Sequence, residues 1–127
     1  MKVLTFSVAA EAATGIVLVV APAIAATLLL GAELSAPATV VARCFGIALV
    51  SLGSACWPGR PGAEGADRPL LAMMIYNLLI AACLGYAGAA EHIFGALLWP
   101  AVGLHAIVGL LLVRDWLGQG RKAPNSR

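Results

Sequence analysis

Glu11, Arg43, Asn77 and His105 are the residues whose chemistry is most at odds with their surroundings. Each stands inside a long apolar run. An ionisable side chain in hydrocarbon costs about 2.5–3.5 kcal/mol on insertion scales, so such residues face a protein interior and serve a purpose there. A carboxylate beside a guanidinium forms an ion pair. A carboxyl group held alone in a low-dielectric site can exchange a proton. An asparagine and a histidine add hydrogen bonds to a neighbouring helix or to a ligand. No nucleophile–base pair, metal constellation or phosphate-binding loop accompanies them, and the chain reads as non-enzymatic. Cys44, Cys56 and Cys83 lie in apolar stretches without a CxxC or a zinc-like spacing, so they read as small helix hydrophobes. His92 and His105 are thirteen residues apart, which turns them to roughly opposite faces of one helix and argues against paired haem ligation. No metal and no cofactor is expected.

The elements that must position these residues are membrane helices. Of the 127 residues, 61% are hydrophobic and 11% charged, and the mean hydropathy is +0.95. A domain this small buries only about 60–70% of its unfolded surface, too little to hide so much apolar area from water. A bilayer is the solvent that fits, and a net charge of +2 argues against a nucleic-acid partner. A spanning helix needs about 20 mostly apolar residues. The expected spans are 3–20, 36–57, 70–89 and 93–117, with Pro100 bending the last. The opening run resembles a signal peptide, but Glu11 interrupts its apolar stretch and it reads as a retained first helix. Pro22 starts a new segment over 21–30, too short to cross and read as an interfacial helix. Ser35 and Pro37 open the second span as N-cap and first-turn proline. Residues 58–67 form a loop rich in helix breakers, and 118–127 a polar tail. The fold class is all-α: an integral membrane four-helix bundle in one domain over 1–117, with a short interfacial helix after the first span.

Charge sets the orientation. Lys2, Arg60, Arg68, Arg114, Arg121, Lys122 and Arg127 fall on one side of a four-span chain, and the opposite connections carry Glu33 and Glu91 with no Lys or Arg. By the positive-inside rule both termini are cytoplasmic, in a bacterial inner membrane. Trp57, Trp99 and Trp116 lie near span ends, as interfacial aromatic residues do.

At 1.5 Å per residue, Glu11 and Asn77 lie about 12 and 13 Å above the cytoplasmic end. Arg43 lies about 10 Å, and His105 about 18–20 Å, below the outer end. Glu11, Arg43 and Asn77 therefore share a level, with His105 nearer the cytoplasm. Ser7, Glu11, Thr14 and Gly15 form one stripe of the first helix; Thr39, Arg43, Gly46 and Gly53 form one of the second. Small residues let helix backbones approach in lipid, so an ion pair of Glu11 with Arg43 is expected. The cluster reads either as a structural polar core that fixes helix register or as a ligand or proton site. An Arg43 that snorkels from a lipid-facing position is the third reading.

Two resemblances follow from these residues. Val41-Ala-Arg-Cys-Phe-Gly-Ile-Ala-Leu-Val-Ser-Leu-Gly53, with Tyr76-Asn77 and Leu98-Trp-Pro-Ala-Val-Gly-Leu-His105, resembles DoxX-like and related four-helix bacterial inner-membrane proteins. That resemblance implies an accessory membrane protein, linked in some members to quinone or sulfur redox systems. A quinone or lipid ligand, and a membrane-protein partner or second copy, are the partners it implies. Ala10-Glu11-Ala-Ala-Thr-Gly15 resembles the first-helix glutamate of the small multidrug resistance transporters, which would imply exchange of a proton for a cationic drug. The aromatic substrate-cage motif of that family's third helix is missing, and the seven-to-none charge bias does not suit its dual topology.

Overall fold

The computed structural model describes residues 2–58, 67–93 and 95–120. The centre of the expected loop, 59–66, and the tail from 121 onward lie outside the described residues. Five helices follow one another: α1 (Lys2–Val20), α2 (Pro22–Leu30), α3 (Ala36–Ala55), α4 (Asp67–Ala89) and α5 (Leu98–Gly120). All but α2 are long and apolar enough to cross a membrane; the shortest, with 19 residues, extends about 28 Å at helical rise. The outer surface is as apolar as lipid requires. Ile16, Ile47, Leu79 and Leu110, one on each long helix, are all more than half exposed. The chain is an all-α, multi-pass membrane protein.

The helices pack as two hairpins. In the first, α1 and α3 meet along small residues. A Cβ on Gly15 would come within 2.7 Å of the Gly46 carbonyl oxygen, and one on Gly46 within 2.6 Å of that of Gly15. Only glycine at both positions lets the backbones touch, and such contact carries helix association where lipid offers no hydrophobic drive. In the second hairpin α4 lies along α5, with Gly88 under Leu98 and Trp99, and Gly109 under Leu78. Helix α1 also touches α4 and α5, so it is the common neighbour of the bundle. No comparable interface joins α3 to α4 or α5 among the described residues.

Ala21 leaves helical geometry at φ −136°, and Pro22 opens α2. Proline suits a first turn because its missing N–H would have had no partner there. Helix α2 ends at Gly31 in the left-handed conformation, whose N–H bonds to the Thr27 carbonyl. Ser35 caps α3 by accepting from the Ala38 N–H at 3.3 Å.

The connection between α4 and α5 differs from the short turn at Glu91 and His92 that spacing suggests. It runs from Ala90 to Leu97, and α5 begins only at Leu98. Gly95 and Leu97 donate their backbone N–H groups to the carbonyls of Leu29 and Leu28, at 2.8 Å each. Two of the last carbonyls of α2 thus find partners outside their helix, which draws the connection out of α5 and ties α2 to the second hairpin. Pro100 consequently sits in the first turn of α5, where it displaces no helical hydrogen bond, and the bend expected there has no cause.

The solid core lies at the end of the bundle away from α2. Leu4, Val8, Cys56, Leu70, Met73, Val108 and Leu112 are packed together there, drawn from all four long helices or their ends.

Candidate functional site

Above that core, three helices bring their polar side chains to one level. Ser7 and Glu11 are four residues apart on α1, so they share a face. Asn77 and Tyr76 come from α4, and His105 from α5. Ser7, Glu11 and Asn77 are buried, at 1%, 3% and 1% exposure. These groups satisfy one another. The Asn77 amide nitrogen donates to the Ser7 hydroxyl at 2.9 Å and to the Met73 carbonyl at 2.8 Å. The Asn77 amide oxygen lies 3.0 Å from His105 Nδ1. The same Nδ1 is 3.5 Å from Glu11 Oε1. The Tyr76 hydroxyl stands beside the Glu11 carboxyl group, and its ring meets the His105 ring edge-to-face with centroids 6.0 Å apart. No buried side-chain nitrogen or oxygen lacks a partner among the described residues.

Three of the four residues singled out from sequence, Glu11, Asn77 and His105, therefore meet. Arg43 does not. It is exposed on α3, and no ion pair joins it to Glu11 among the described residues. The reason is helical phase. Gly46, Leu49 and Gly53 are the buried positions of α3, and Arg43 is rotated about 60° from Gly46 at 100° per residue. On α1, Val8, Ala12 and Gly15 take the contact with α3, while Ser7 and Glu11 turn toward the second hairpin. The expected depth of His105 is also corrected. With α5 starting at Leu98, His105 lies about 10 Å from that end, level with Asn77. Tyr76 belongs to the cluster although spacing alone did not single it out as a site residue; the usable signal was its place one position before an intramembrane asparagine.

The cluster floors a cavity of about 560 Å³ between the two hairpins, which α2 roofs with Ala25, Leu28 and Leu29. Val17 and Leu18 of α1, Phe45 of α3, Ile80 and Leu84 of α4, and Ala101 and Leu104 of α5 line its sides. Among the described residues, Thr14, Tyr76 and His105 are the polar ones on its wall. Because α3 stands away from α4 and α5, the cavity is open on part of its circumference. Glu11 lies behind Tyr76 and His105 rather than on the wall. Among the described residues no three His, Cys, Asp or Glu side chains gather as a metal site would require.

No family model, curated protein or solved structure matches the chain.

Proposed function

We propose that this membrane protein is a non-enzymatic, small-ligand-binding bundle whose cavity holds a lipophilic molecule with a polar head, the quinone class foremost. One observation carries the reading: an apolar cavity of about 560 Å³ that ends on Tyr76 and His105. Ligand pockets are typically about 300–1,000 Å³, mostly apolar, with a few convergent polar groups. A ring-sized head fits the floor, and a hydrocarbon tail can leave through the open side into lipid. The resemblance to DoxX-like proteins supports the same reading, since Tyr76, Asn77 and His105 are among the residues that carry it. On this reading the protein is an accessory component of a bacterial inner membrane that presents its ligand to a partner. The seven basic residues on one side, against Glu33 and Glu91 on the other, support cytoplasmic termini.

Proton-coupled drug exchange is the weaker reading. In its favour, no Lys or Arg among the described residues pairs with Glu11 to hold the carboxyl group ionised. A cationic drug, however, would have to reach a carboxyl group screened by Tyr76 and His105. Fluorescence titration of the purified protein in mild detergent with decylubiquinone and with tetraphenylphosphonium separates the two. We expect saturable quenching by the quinone that Ala101→Trp, which fills the cavity, abolishes. Absence of quinone binding, or binding indifferent to Ala101→Trp, would refute the proposal. Tetraphenylphosphonium binding that is lost in Glu11→Gln would favour exchange.

A further inference from the structure

Deepening the cavity reading, and resting on it, we infer that the cavity selects ligands whose head donates a hydrogen bond over those that only accept one. Phenols, hydroquinones and alcohols belong to the first class; quinones and ethers belong to the second, so of a quinone couple both forms enter the cavity and the reduced form is held more tightly, by about one hydrogen bond.

The inference begins at the Met73 carbonyl, which can only accept. The Asn77 atom 2.8 Å from it must be the amide nitrogen, so the amide oxygen is the atom turned to His105. That oxygen also only accepts, and His105 Nδ1 must carry a hydrogen to meet it at 3.0 Å. The carboxyl oxygen of Glu11, at 3.5 Å, stands on the same edge of the ring. The nearer partner is the neutral amide, as suits a neutral imidazole. A neutral imidazole has one N–H, so Nε2 presents a bare lone pair. No protein group bonds to Nε2 among the described residues, and no buried polar side-chain atom there is unpartnered. Nε2 is therefore not sealed within the protein, and the wall on which His105 stands is that of the cavity.

The other two polar wall residues are committed in the same sense. The Tyr76 hydroxyl has the Glu11 carboxyl group beside it as an acceptor. The Thr14 hydroxyl donates to the Ala10 carbonyl at 2.9 Å. Of the polar side chains lining the cavity among the described residues, Thr14 and His105 thus have their hydrogens engaged elsewhere and offer lone pairs, and Tyr76 has a carboxyl group beside it that competes for its hydrogen. The helical backbone around them has its N–H groups bonded internally. A ligand hydroxyl gains a partner on this floor, whereas a ligand carbonyl or ether oxygen meets lone pairs and leaves its own water bonds unreplaced.

The test uses two redox-inert probes that differ by one donor, 4-octylphenol and 4-octylanisole. Affinities are measured for the intact protein in lipid nanodiscs and corrected for each probe's partition into empty discs. One net hydrogen bond is worth about a tenfold preference for the phenol. Ala101→Trp should abolish binding of both. His105→Phe should bring the ratio close to one while anisole still binds. Should that variant fail to fold, ¹⁵N spectra of histidine-labelled wild-type protein remain decisive. Nε2 of His105 should give a pyridine-type resonance that moves with the phenol and not with the anisole. Equal affinities, both abolished by Ala101→Trp, would overturn donor selectivity and leave the cavity reading standing. Tighter anisole binding, or an Nε2 that carries a proton, would overturn it as well. If neither probe binds, the cavity reading itself falls.

Discussion

Replacing Asn77 with leucine isolates what the polar cluster contributes to the bundle. The two side chains share one branched skeleton with the same number of heavy atoms, so the substitution removes hydrogen bonds without opening a cavity, at the cost of some crowding from the bulkier methyl groups. Two interhelical bonds are lost, to Ser7 at 2.9 Å and to His105 at 3.0 Å. The Met73 carbonyl is an intrahelical partner four residues away and loses only an extra donor. Interhelical hydrogen bonds in membranes average about 0.6 kcal/mol and reach about 1.7 kcal/mol, so the two together give roughly 1–3 kcal/mol. Unfolding titration in mixed micelles, followed by tryptophan fluorescence, measures the loss. The sharper test is a cycle with Ser7→Ala. That change should cost up to about 1 kcal/mol in the parent and close to nothing beside Asn77→Leu. If Ser7→Ala costs the same in both backgrounds, the bond between α1 and α4 carries no energy and the cluster does not hold the hairpins together.

The remaining predictions concern other contacts. Arg43→Gln should change stability by less than about 0.5 kcal/mol, as an exposed residue without an ion-pair partner among the described residues does, and should be additive with Glu11→Gln in thermal unfolding. Gly15→Ala places a Cβ 2.7 Å from the Gly46 carbonyl oxygen and must spread α1 from α3; the same unfolding titration should show a loss of about 1–3 kcal/mol. Gly95→Ala drives a Cβ into the Thr27 and Leu28 carbonyls, so it should loosen the α2 roof and raise hydrogen exchange at Gly31 and Leu97. In intact cells, a cysteine at Glu33 should react with an impermeant maleimide while one at Arg68 does not; the reverse pattern would invert the topology.

Most of the fold was legible because lipid leaves a chain few choices. Twenty apolar residues between breakers can only be a helix there, and Pro22, Ser35 and Pro37 mark boundaries by chemistry that acts within one turn. The start of α5 was not legible. It depends on bonds from Gly95 and Leu97 to α2, which no local pattern encodes. That error propagated to the depth assigned to His105. The site was legible in composition but not in pairing. Glu11, Asn77 and His105 stand out as polar side chains in hydrocarbon, yet depth alone made Arg43 as good a partner for Glu11 as Asn77. Phase decides between them. The stripe on which α3 docks is set by Gly46 and Gly53 together, and Arg43 falls on its flank. Tyr76 was hidden for a related reason, since a tyrosine in a membrane helix is unremarkable until the ring it stacks on is known.

The bonds from Gly95 and Leu97 to α2 also impose a schedule on biogenesis. Leu28 and Leu29 are synthesised more than sixty residues before their partners. At roughly 5–20 residues per second, about 3–13 s pass before the ribosome supplies the second half of each bond. Carbonyls left open for that long cannot wait in hydrocarbon, where nothing would hydrate them. A nascent α2 must therefore rest among lipid headgroups, and its nine residues, too few to be drawn through, let it do so. The roof of the cavity is set last, when the final helix inserts.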